Sequence, residues 1–118
     1  MKQAIRENVN RIIAELVGML RPDHGWQADV LSGLKEAVNR RDLQSAEEQF
    51  ASGNMWGGAG SVRDASFVDS ASNARKCKLE IELVDAFASA GITNKAATEM
   101  AAIYRGWLAE GVFNGPST

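Results

Sequence analysis

Few residues in this 118-residue chain have side chains suited to catalysis, and their surroundings decide what they can do. The only histidine, His24, sits in a turn between Asp23 and Gly25, a place for a solvated structural residue and not for a general base. The only cysteine, Cys77, falls on the apolar stripe of a helical segment with no histidine to activate it. A thiol so placed is inert packing material. One histidine, one cysteine and scattered carboxylates supply no convergent metal shell. Glu47 and Glu48, like Glu80 and Glu82, lie about 100° or 200° apart around a helix, so neither pair meets on one face. Glu80 stands apart, because helical spacing sets it between Phe87 and Val84. A carboxylate there needs a donor, and a loop group is the expected one. These residues predict no catalytic residue, no metal and no cofactor.

The run Gly57-Gly58-Ala59-Gly60-Ser61 invites comparison with phosphate-binding loops, whose backbone N–H groups cradle an anion. A Walker loop also needs a Lys-Ser/Thr pair opening a helix, and a dinucleotide fingerprint needs a strand before its glycines. Neither is present, so the glycines read as tight reversals or close approaches to a helix. Trp56, beside them, is either a core anchor or an exposed contact; large aromatics in small domains are usually buried.

The elements that must position these residues follow from periodicity. Ile5, Val9, Ile12, Ile13, Leu16, Val17 and Leu20 recur at spacings of three and four and predict a helix over 2–20. Arg21 to Gly25 interrupt it with a proline and a glycine. Trp26, Val30, Leu31, Leu34, Ala37 and Val38 predict a second helix folding back on the first. Asp42 caps a short third helix bearing Leu43, Ala46 and Phe50, which ends near Ser52 and Gly53. Residues 52–72 combine glycines with Met55, Trp56, Val62, Phe67 and Val68. That is no linker composition, and it predicts an ordered loop with a 3₁₀ turn or strand-like piece at 62–68.

Ser72 or Asn73 is expected to cap a fourth helix, with Cys77, Ile81, Val84 and Ala88 as the centre of its buried stripe, flanked by Leu83 and Phe87. Arg75, Lys78, Glu82 and Asp85 form its wet side. Gly91 ends it. Thr93 or Asn94 caps a fifth, with Ala97, Met100, Ala101, Tyr104, Trp107 and Leu108 inward until Gly111. The fold class is all-α: an antiparallel bundle of four to five helices over 1–113 with one long ordered glycine-rich loop, followed by a flexible tail at 114–118.

Composition bounds the partners. Residues 1–50 carry seven bases and eight acids, residues 51–118 six and seven, for a net charge of -2 with no basic footprint for nucleic acid. No charge-free stretch is apolar enough to span a bilayer, and no signal sequence is evident. A single cysteine fits a reducing compartment. A cytoplasmic chain that engages neither nucleic acid nor membrane is the expectation.

The segment Trp56-Gly57-Gly58-Ala59-Gly60-Ser61-Val62-Arg63-Asp64 resembles a family of small bacterial helical domains with a GG-x-GS loop before a helix. The likeness extends loosely to Asn73, Leu79, Glu80, Leu83 and Trp26, with Ala59 and Arg63 replacing a bulkier apolar residue and an amide. That family is similar in size and helical build to immunity proteins, which bind and neutralise a cognate toxin domain. The resemblance implies a non-enzymatic protein-binding module with a toxin or effector domain as partner. Its contact residues would be Met55, Trp56, Gly57, Gly58, Gly60, Ser61, Arg63, Asp64 and Asp69. Two other readings stand beside it: a small-ligand or nucleotide site made by the glycine loop, and a structural homodimer subunit.

Overall fold

The three-and-four spacing of the first segment becomes α1, Gln3–Leu20, which buries Val9, Ile12, Ile13, Leu16 and Leu20 completely. The chain reverses at Pro22 and returns as α2, Gly25–Asn39, whose Ala28, Leu31, Leu34, Ala37 and Val38 face α1 and the core. The structure, a computed structural model, describes residues 1–114. Within these residues all regular structure is helical: α3, Leu43–Ala51; a single-turn α4, Gly53–Trp56; α5, Ser70–Ser89; and α6, Lys95–Glu110. The expected all-α bundle is the observed one. Apart from Asn114, the expected tail lies outside the described residues.

α1 is the central element, packed between α2 and α5; α3 continues from α2, and α6 lies against α5 with its other contact to α4. The core is one continuous cluster running from Val9 to Ala101. At its centre Phe50 of α3 stacks on Phe87 of α5, with ring centroids 4.2 Å apart and planes at 10°.

The caps carry out much of what the sequence predicts. Asp42 accepts from the Ser45 amide at 3.1 Å, and Asn94 from that of Ala97 at 3.0 Å. Gly91 and Gly111 take positive φ values of 79° and 72° to close α5 and α6. Arg41 does the same after α2, with φ 60° and with amide bonds Arg41→Val38 and Asp42→Ala37. A left-handed residue with a Cβ is strained there.

Four expectations change. α5 begins at Ser70, and its cap is Asp69, which accepts from the Ser72 amide at 2.8 Å; Ser72 and Asn73 lie inside the first turn. The buried stripe of α5 is rotated, so that Leu79, Glu80, Leu83 and Phe87 lie deepest and Ala88 is exposed. Trp26 and Trp107, read as inward, are 53% and 39% exposed. The segment 62–68 contains turns and no strand.

Candidate functional site

The loop joining α4 to α5 is built around one buried ring. Trp56 ends α4 at 5% exposure, stands edge-on to Phe50 at 5.8 Å, and donates from Nε1 to the Phe50 carbonyl at 2.8 Å. This removes the apolar surface of the indole from water and satisfies its single donor. With Trp56 and Met55 fixed, the Asn54 and Met55 carbonyls accept from the amides of Val62 and Arg63 at 2.8 and 2.9 Å. The chain must therefore reverse between residues 57 and 61. Gly57 permits the reversal, because a Cβ there would lie 2.4 Å from the Gly53 carbonyl oxygen. Gly60 also permits it, at φ +86°.

Side chains then pin the loop from three sides. The Gly57 carbonyl accepts from Ser61 Oγ at 3.0 Å and Arg63 Nε at 2.8 Å, while Asp64 Oδ2 accepts from the Gly60 amide at 3.1 Å. From α2, Gln27 Nε2 donates to the Gly60 carbonyl at 3.1 Å. His24 Nε2 donates to the Ser66 carbonyl at 2.8 Å, its ring edge-on to Phe67 at 5.7 Å. From α5, the Asn73 amide both accepts from the Phe67 amide and donates to its carbonyl, at 2.8 and 2.9 Å. His24 is thus a structural tie between loop and bundle, half-buried where the sequence placed it in solvent.

A buried charge pair lies beneath the loop. Lys76 and Glu80, one helical turn apart, are 4% and 1% exposed, with Nζ to Oε1 at 2.8 Å; Lys76 Nζ also donates to the Arg63 carbonyl at 3.3 Å. Glu80 therefore has its donor on its own helix, and the loop joins through Lys76. Glu80 Oε2 has no partner of ordinary hydrogen-bond geometry among the described residues, although the Tyr104 hydroxyl is close by. Burial raises the Glu80 carboxyl above the usual carboxylate range, opposed by Lys76, Tyr104 and Arg63. Burial likewise raises Tyr104, helped by the Glu80 charge. It pushes the Cys77 thiol to about 11, with Glu80 adding to the shift, so Cys77 is a poor nucleophile.

Three of the residues expected at a partner interface are not available to one. Met55, Trp56 and Ser61 are 0%, 5% and 3% exposed, because they form the core that shapes the loop. Gly57 and Arg63 are half-buried, and Gly58, Gly60, Asp64 and Asp69 are exposed. Asp69 also serves as the α5 cap, and hydrogen bonds from Ser72 hold its carboxyl below the usual range. The loop carries its own anion: Asp64 occupies the Gly60 amide, and the amides of Gly57, Ser61, Val62 and Arg63 go to backbone carbonyls. This is not the convergent set of free amides that a phosphate cradle requires.

The outer surface has two flanks. On one, Trp26 and Gln27 of α2 border a hollow with Asn54, Gly60 and Ser61. On the other, Arg63 and Asp64 border a cleft of about 220 Å³ reaching Lys76, Tyr104, Trp107 and Phe113. Sequence reasoning missed the roles of Trp26, Trp107 and Lys76. The first two match the helical period of core residues, and a lysine carries no signal of burial until its acid partner is located. Among the described residues no helix is long and apolar enough to cross a membrane. Comparison of the chain with protein-family models, with curated proteins and with solved structures returned no match.

Proposed function

We propose that the chain is a non-enzymatic protein-binding module of the immunity type, a cytoplasmic protein that covers and neutralises a cognate toxin domain. The observation supporting this reading is a loop pinned to α2, α4 and α5 that holds Arg63 and Asp64 at the surface between two partly exposed tryptophans, Trp26 and Trp107. Tight protein recognition favours aromatic and arginine anchors in a surface that needs no ordering on contact. The resemblance of the GG-x-GS segment to small bacterial helical domains supplies the class of partner.

The test is capture of the toxin domain encoded beside this chain. Trp26→Ser and Arg63→Glu are expected to keep the helical circular dichroism and to weaken capture about 30-fold or more each, the loss typical of an interface hot spot. Absence of a toxin gene next to this one, together with failure of co-expression to protect cells from any adjacent product, would remove the reading.

A further inference from the structure

The cleft on the α6 side of the loop joins Arg63 to a second donor, Lys76, that the protein-binding reading does not use. Arg63 gives Nε to the Gly57 carbonyl, while its terminal nitrogens have no carboxylate within ion-pair distance among the described residues. Lys76 has three N–H groups. Two are engaged, by Glu80 Oε1 and the Arg63 carbonyl, and the third has no protein acceptor among the described residues. Both residues line the same cleft. One wall is aromatic: Trp107 is tilted against Tyr104 at 5.5 Å and stands edge-on to Phe113 at 6.3 Å.

We propose that this cleft binds a small organic acid, its carboxylate held by Arg63 and Lys76 and its flat apolar body lying against Trp107, Tyr104 and Phe113. The free donors and not surplus charge select the ligand: Asp64 and Glu80 already balance the two cations, so a singly charged carboxylate meets less repulsion than a doubly charged phosphate. The volume of about 220 Å³ selects a small body, below the 300–1,000 Å³ or so of pockets for drug-sized ligands. A guanidinium and a buried ammonium pair ionically with the two oxygens of a carboxylate, whereas its amide offers them one neutral carbonyl oxygen. The cleft shares Arg63 and Trp107 with the surface proposed for toxin binding, so acid binding is read on the chain without a partner, and its failure leaves the toxin-capture test standing.

Phenylacetate is a suitable probe, with phenylacetamide as its uncharged counterpart. In calorimetric titrations of the full chain, phenylacetate is expected to bind with a Kd in the millimolar range or tighter, and phenylacetamide at least tenfold more weakly. Arg63→Gln should reduce phenylacetate affinity tenfold or more and leave the amide unchanged, whereas Trp107→Ala should weaken both. Amide and indole NMR shifts on adding phenylacetate should centre on Tyr104, Trp107 and the 63–66 segment. Equal affinity for acid and amide, no binding at ten millimolar, or shifts centred elsewhere would each overturn the proposal. Trp107→Ala keeps the test decisive if Arg63→Gln disturbs the loop, because the indole is partly exposed and makes no loop hydrogen bond.

Discussion

Replacing Trp56 with alanine removes the ring around which the loop is folded, and its cost follows from the contacts. Truncating a buried aromatic to alanine costs about 3–5 kcal/mol. Here it also orphans the Phe50 carbonyl, whose desolvation adds about 1 kcal/mol or more. The expected loss is therefore about 4–6 kcal/mol, a large share of the total stability typical of a small domain, about 5–15 kcal/mol. Urea unfolding followed by far-ultraviolet circular dichroism measures it. With a slope of about 2 kcal/mol per molar, the midpoint should fall by about 2–3 M. Trp56→Phe keeps a ring against Phe50 and loses the indole donor, so it should cost about 1–2 kcal/mol. If Trp56→Ala unfolded within about 1 kcal/mol of the parent at unchanged slope, the indole would not be the anchor, and the reasoning from burial to loop order would fail.

The paired glycines should respond differently. Gly57→Ala forces a Cβ to 2.4 Å from a backbone oxygen, whereas Gly58 has open space around its Cβ position. Thermal melts should therefore show a loss of about 2 kcal/mol or more for Gly57→Ala and a change within about 0.5 kcal/mol for Gly58→Ala. The buried pair should be asymmetric. Lys76→Met strands the Glu80 carboxylate and should cost about 3–5 kcal/mol in urea titrations, while Lys76→Met with Glu80→Met should recover most of it. Glu80 also sets a pH dependence. Its folded pKa is raised from 4.5, so its contribution is fully present below that value and is lost as pH rises through the folded pKa. The stability of Glu80→Gln relative to the parent should accordingly increase as pH rises from about 4.5, measured as midpoint differences in urea.

The helices were legible wherever burial and period agreed. α1 presents one apolar face along its whole length, and Asp42, Asn94, Gly91 and Gly111 mark ends by conformational preferences that operate locally. Where several polar residues could serve, local rules left the choice open. Asp69, Ser72 and Asn73 all suit a cap; the structure uses Asp69, and Asn73 is engaged across the turn by Phe67. The single-turn α4 has too few residues to show a period. Tryptophan type indicates burial without saying which copy is buried, which fits Trp56 read as a core anchor and misleads for the other two. Trp56, included among contact residues, is core; Trp26 and Trp107, read as core, are at the surface. Lys76 and Glu80 lie on the buried side of α5 for a reason periodicity does not contain, namely that each supplies the other's partner.

Native-state hydrogen exchange of the loop amides reports whether the loop between α4 and α5 is fixed in the isolated protein. The amides of Gly57, Val62, Arg63 and Phe67 are expected to exchange far more slowly than an unfolded chain, with opening energies near those of flanking α3 and α5. Exchange of these four at unfolded-chain rates, while the amides of α3 and α5 remain protected, would contradict a pre-formed recognition surface.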